Sequence, residues 1–224
     1  MRRSMSIAVA AAMLGAALPV VANADHKPGH PPPGGGGQPD LTIKATPDST
    51  VFRRATVISG RLRGNNNSGQ TVTLREDQFP YGSGATAVAT TITDAQGDYS
   101  FTRRPVRNTS YRALVGAMVS PAEVVNVAIR AGLRVGDATP RVAQRVRFKG
   151  LVCPAHDGLI VRIQRRTSKG TYRTVRRARL KDAPRCSAYS RVLRIYRDGT
   201  FRLLADDADH ARGLSRARFI DVHR

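Results

Sequence analysis

Residues 56–75 read TVISGRLRGNNNSGQTVTLR. Two runs of alternating polar and apolar side chains, residues 56–62 and 70–75, flank Gly64-Asn65-Asn66-Asn67-Ser68-Gly69. A period of two sends successive side chains to opposite faces of an extended strand, and a cluster of Gly, Asn and Ser marks the turn between two strands. This stretch is therefore a β-hairpin-like pair. No helical period is sustained anywhere after the first two dozen residues.

The same texture extends in both directions. Residues 41–45, 85–92, 98–101, 111–115 and 124–129 are further short β-type runs, with Thr93-Asp94-Ala95-Gln96-Gly97 as a turn. Seven strands in about ninety residues is the signature of an Ig-like sandwich. The order then recurs. Gly60 has a counterpart in Gly150, Tyr99-Ser100 in Tyr189-Ser190 and Tyr111-Arg112 in Phe201-Arg202, all at an offset of 90, while Val72 and Leu74 match Val161 and Ile163 at 89. Anchors holding one offset point to a duplicated unit. The second set of strands covers 146–152, 159–163, 172–175, 189–195, 200–204 and 217–222, with the boundary near Arg130-Ala131-Gly132. The expected fold is all-β, with two consecutive Ig-like antiparallel β-sandwich domains over residues 41–130 and 131–224.

Thr93-Asp94-Ala95-Gln96-Gly97-Asp98-Tyr99-Ser100-Phe101, followed by Asn108-Thr109-Ser110-Tyr111-Arg112, resembles the hairpin and next strand of bacterial extracellular Ig-like domains. The carboxypeptidase-regulatory-like type shares this T-D-x-x-G-x-Y-x-F turn. Val161-Arg162-Ile163-Gln164-Arg165 and Gly170-Thr171-Tyr172-Arg173-Thr174-Val175 are similar to repeats of secreted actinobacterial proteins. The second copy departs at Gly97, where Ala183-Pro184-Arg185-Cys186 fills the hairpin. The resemblance implies a structural or binding module and no particular chemistry.

Residues 1–24, MRRSMSIAVAAAMLGAALPVVANA, carry a short basic start, an apolar run and the small-x-small ending Ala22-Asn23-Ala24. That is the order of a secretory signal peptide, so the mature chain is expected outside the cytoplasm with no membrane span. Residues 25–40, DHKPGHPPPGGGGQPD, are too poor in apolar side chains to repay the entropy of ordering and read as a disordered Pro/Gly-rich linker. Cys153 and Cys186 are the only cysteines, and an even count in an exported protein argues for a bridge between them.

The 224 residues carry 37 Lys and Arg against 16 Asp and Glu, a formal charge of +21. The excess is uneven: residues 41–130 hold 11 basic and 6 acidic side chains, residues 131–224 hold 23 and 8. Arg145, Arg147 and Lys149 alternate along one strand, as do Arg162 and Gln164 on the next, and Arg173 extends the series on a third. These five cations are the candidate polyanion-binding residues, placed by their alternation on outward positions of neighbouring strands. The competing reading is compositional, because 32 of the basic residues are Arg and charged strands also discourage edge-to-edge pairing.

No catalytic residues emerge. The chain lacks G-x-S-x-G, H-E-x-x-H and P-loop patterns, and Glu76 and Glu123 are its only glutamates. Asp206-Asp207-Ala208-Asp209-His210 and the pair Asp94 and Asp98 are oxygen-rich, but neither has the ligand order of an EF-hand; they read as polar turns, as does His156-Asp157-Gly158. No metal site and no cofactor are assigned. The absence of Trp counts against a carbohydrate platform of stacked rings. The expectation is a secreted, non-enzymatic structural or adhesive module; the alternative is a polyanion binder for acidic glycan, wall polymer or nucleic acid. Its partners are expected among anionic envelope polymers or other extracellular proteins, without sequence-specific nucleic acid.

Overall fold

In a computed structural model the described residues are 40–223, and every regular element among them is a β-strand. The signal peptide and the linker expected over residues 1–40 lie outside the described residues, except for Asp40. The first ten strands are β1 (Asp40–Leu41), β2 (Lys44–Thr46), β3 (Ser49–Val51), β4 (Thr56–Arg63), β5 (Thr71–Gln78), β6 (Thr86–Ile92), β7 (Asp98–Arg103), β8 (Thr109–Val115), β9 (Met118–Val119) and β10 (Glu123–Ala128). They are followed by β11 (Arg130–Ala131), β12 (Arg134–Val135), β13 (Gln144–Cys153), β14 (Ile160–Arg166), β15 (Tyr172–Arg179), β16 (Lys181–Ala183), β17 (Cys186–Ile195), β18 (Gly199–Ala205), β19 (Gly213–Leu214) and β20 (Arg218–Ile220).

The strands form four sheets. In the N-terminal half, β1-β4-β2 with β7 on β4 faces the sheet β3-β10-β8-β5-β6 with β9 on β8. In the C-terminal half, β11-β13-β17-β16 with β12 on β13 faces β15-β14-β18-β19 with β20 on β18. Alternation explains the pairing. Ile58 and Leu62 on β4 point inward to meet Val72 and Leu74 on β5 and Tyr111 on β8, and the intervening Arg61 and Arg63 face solvent. Val146 and Phe148 on β13 likewise meet Val161, Ile163 and Leu203 from the facing sheet. Each fully buried side chain of this size contributes about 1.5–3 kcal/mol. Among the strand pairs of the described residues one is not antiparallel: β3 lies parallel to β10, Thr50 opposite Val127.

The two halves share a motif built around one glycine each. Gly60 pairs with Tyr99 across β4 and β7, and Gly150 pairs with Tyr189 across β13 and β17. The Tyr99 hydroxyl donates to Thr42 O, and the Tyr189 hydroxyl donates to Gly132 O at 2.9 Å. Both carbonyls lie 57 residues upstream of their tyrosine, and both of these residues return a backbone bond, Thr42 N–H to Arg61 O and Gly132 N–H to Leu151 O. Only a residue without a Cβ leaves room for the ring and the carbonyl together.

Where the halves meet, Ala128 and Ala211 form an isolated parallel bridge. Ile129 is the single residue between β10 and β11; its N–H goes to Ala211 O, and Ala211 N–H goes to Val127 O. Asn108 N–H donates to Asp209 O at 3.0 Å, and Arg107 pairs with Asp209 at 3.4 Å. Val127 belongs to the first core and Ile129 to the second.

Burial of the tyrosines makes a prediction. Tyr111 is fully buried with its hydroxyl unpartnered, and burial first, then the nearby Glu76 carboxylate, push its phenol up to about 12. Burial drives Tyr99 and Tyr189 upward as well. A folded-state value above the unfolded one gives stability that is intact below pH 10 and drains away as pH rises toward 12, at roughly 1.4 kcal/mol per group for each pH unit. Denaturant midpoints should therefore fall steeply above pH 10. Phenolate absorbance should rise in step with loss of far-ultraviolet dichroism. A smooth titration of all six tyrosines with the β signal intact would contradict this.

Candidate anion-binding site

The outer face of β13 carries a row of alternating cations. Arg145, Arg147 and Lys149 are exposed while Val146 and Phe148 between them are buried, as their alternation requires. Partners from flanking strands extend the row. Arg194 on β17 lies opposite Arg145, and Arg134 on β12 lies opposite Lys149. Successive outward residues on a strand stand about 6.6–6.8 Å apart. The face thus holds cations at regular spacing, with Val192 and Ser190 of β17 opposite Arg147 and Lys149. Arg147 is steadied by a bond to Ser190 Oγ at 3.1 Å.

At the Lys149 end the row opens into a groove of about 700 Å³. Its walls carry Arg130, Arg134, Lys149, Arg216 and Arg218, and its floor includes Leu151, Ala188 and the Gly150–Tyr189 pair. The Tyr189 hydroxyl bond to Gly132 O draws residues 131–134 over β13 and so builds one wall. Arg218 Nε donates to Leu133 O at 3.4 Å and ties β20 to the same segment. Among the described residues no carboxylate pairs with Arg130, Arg134, Arg145, Arg147, Lys149, Arg194, Arg216 or Arg218. Cations with no carboxylate partner, several of them lining a concave and partly apolar groove, are free to meet an external anion.

The structure divides the five cations singled out in the sequence. Arg145, Arg147 and Lys149 share one face, but Arg162 and Arg173 sit on β14 and β15 in the other sheet, since β13 and β14 do not pair. The expected common face of neighbouring strands is therefore corrected to a face of β13 alone. Arg162 is half-buried, and Gln164 is buried rather than outward because a bulge between Ile163 and Gln164 shifts the alternation. Gln164 instead accepts from Arg202 Nε at 2.9 Å. The sequence reading did not single out Arg194, Arg134 or Arg130, which join the face only through sheet order, and it placed Arg216 and Arg218 on the last strand without connecting them to β13.

The oxygen-rich turns are already committed. Asp94 Oδ1 caps its own turn by accepting from Gln96 and Asp98 N–H, and Asp98 forms a two-pronged pair with Arg61 at 2.5 and 2.6 Å. That guanidinium holds the Asp98 carboxyl below the usual carboxylate range. Asp206 pairs with Arg212, Asp209 with Arg107, and Asp207 faces two histidines, so the three carboxylates serve different partners. Glu76 pairs with Arg103, and Glu123 accepts from Ala45 N–H.

The chain matches no protein-family model and no curated protein. What the basic face can bind follows from its geometry alone.

Cys153 and Cys186 form a disulfide with Cα atoms 4.6 Å apart. Such a bond fits an oxidising, extracellular type of compartment. The described residues contain no helix long and apolar enough to cross a membrane.

Proposed function

We propose that this protein is an exported, non-enzymatic module that binds an anionic polymer along the outer face of β13 and into the adjoining groove. The observation that carries this reading is the run of cations from Arg145 and Arg194 to Arg130 and Arg134, none of them paired with a carboxylate among the described residues. Regular spacing suits a polymer that repeats its charge, such as an acidic glycan or a wall polymer. The disulfide and the sequence of residues 1–24 support export. The Tyr–Gly–carbonyl motif present once in each half supports a duplicated Ig-like unit of the bacterial extracellular kind. Such a module serves as a scaffold that presents a charged face rather than as an enzyme.

Heparin, a regular polyanion, is the probe. Its affinity should fall steeply with salt, by roughly 0.7–0.9 in log–log slope for each anionic contact if it behaves as nucleic acids do. Joint replacement Arg134→Ala, Arg145→Ala, Arg147→Ala and Lys149→Ala should flatten that slope and weaken binding at least tenfold. The control pair Arg162→Ala and Arg173→Ala removes charge from the other sheet and should change little. Losses in proportion to the charges removed, four in the first variant and two in the second, would show that net charge alone attracts heparin. The structural-module reading would then replace this one.

A further inference from the structure

Three side chains that no sequence pattern joined meet at the seam between the halves. His156 follows the Cys153–Pro154 corner, and Asp207 and His210 lie in the turn between β18 and β19. One donor atom from each lies within 4.8 Å of the other two. We propose that His156, Asp207 and His210 bind one divalent transition-metal ion of the zinc class.

The hydrogen bonds fix which ring nitrogens are available. His156 Nδ1 lies 2.9 Å from Pro154 O, and His210 Nε2 lies 2.9 Å from Val106 O. A carbonyl only accepts, so these two nitrogens carry protons, and in neutral rings His156 Nε2 and His210 Nδ1 are bare lone pairs. Both point at the Asp207 carboxylate. His156 Nε2 contacts Oδ2, and His210 Nδ1 is 3.2 Å from each carboxylate oxygen. With both rings neutral, three sets of lone pairs converge with no hydrogen between them. One added proton satisfies one ring and leaves the other facing an acceptor. One cation satisfies all three.

The surroundings resemble a built site. The side chains of His210, Asp207 and His156 are 3%, 12% and 17% exposed. Each ring is oriented through its second nitrogen by a backbone carbonyl, the usual support for a metal-bound histidine. Asp207 Oδ1 accepts His210 N–H at 2.9 Å and closes the turn. His156 N–H donates to Ser187 Oγ at 2.7 Å, and Ser187 Oγ donates to Asp157 Oδ1 at 2.5 Å. Two imidazoles and one carboxylate select a first-row transition ion over calcium or magnesium, which prefer all-oxygen shells. Donors about 2.1 Å from a tetrahedral ion stand roughly 3.4 Å apart, close to the separation of Asp207 and His210, while His156 and Asp207 are in closer contact and would part to admit the ion. Three protein ligands leave a fourth position for water. Because His210 also bonds to Val106 O, the ion would fasten the second half's turn to the first half.

The test uses the full chain, stripped of metal and titrated with Co²⁺. One equivalent per chain should develop the visible bands of four-coordinate cobalt, Zn²⁺ should discharge them, and Zn²⁺ should raise the melting temperature. His156→Ala and Asp207→Asn should each weaken Co²⁺ binding at least tenfold. The amide of the Asp207→Asn variant can donate to a ring nitrogen, so this variant should fold while losing the ion. Replacing the two histidines of the tail formed by residues 25–40, by His26→Ala and His30→Ala, should leave the equivalent in place. The proposal is overturned if no equivalent binds, if binding survives in Asp207→Asn, or if it disappears with the tail pair.

Discussion

Gly150→Ala should destabilise the protein by about 2–5 kcal/mol, combining overpacking with a broken buried hydrogen bond. A Cβ at this position would overlap Gly132 O and come within 3.1 Å of Tyr189 Cε1. Neither neighbour yields cheaply. The carbonyl belongs to a segment held by Gly132 N–H to Leu151 O, and the tyrosine ring is buried in the second core. Gly60 stands in the same relation to Thr42 O and to the Tyr99 hydroxyl, which is 2.5 Å from the position a Cβ would take. Urea unfolding of Gly60→Ala, Gly150→Ala and Tyr189→Phe separates the contributions. Tyr189→Phe keeps the ring and loses only the hydroxyl bond, so its loss should be the smallest, about 1–2 kcal/mol. A Gly150→Ala protein as stable as the parent would show that residues 131–134 move aside freely, and the groove wall they form would then be soft.

The second large effect belongs to the disulfide. Joint Cys153→Ser and Cys186→Ser should lower stability by about 3–4 kcal/mol, the loop-closure value for a bridge across 33 residues. The two cysteines continue the β13–β17 ladder one step past the Val152–Ser187 pair. The bridge therefore pins strands that are already adjacent, and its stabilisation comes from the unfolded chain. Both sulfur-bearing residues group with the first hydrophobic core although they lie in the second half of the sequence. Thermal melting with and without reductant, together with a two-proton mass deficit in the oxidised chain, checks this. A loss below about 1 kcal/mol would mean that the ladder alone holds the ends together.

The strands were legible because a period of two is a local signal. Val146, Phe148 and Val152 alternate inward with no help from their neighbours in space. Short edge pieces such as β3 and β9 escaped, since two or three residues carry no period and their pairing is set by strands far away in sequence. Arg145, Arg147 and Lys149 were readable for the same reason that β13 was. Arg162 and Arg173 do not join them because the chain crosses to the facing sheet between β13 and β14, a step that sequence order does not reveal. The bulge that turns Gln164 inward also leaves no mark in a single sequence. His156 and His210 are 54 positions apart, and only the fold brings them to one carboxylate.

The joint at Ile129 has a consequence for which changes in chain length the protein can absorb. One residue carries the path from β10 to β11, with its N–H bonded to Ala211 and its side chain buried. Because inward and outward positions alternate along β10 and β11, adding or deleting one residue there would exchange core for solvent over β11 before residues 132–133 reset the count. The turns at 64–69 and 80–84 have slack to take up such a change. The joint has none. Ile129 behaves less as a hinge than as a phase mark, keeping the alternation of one half in step with the other.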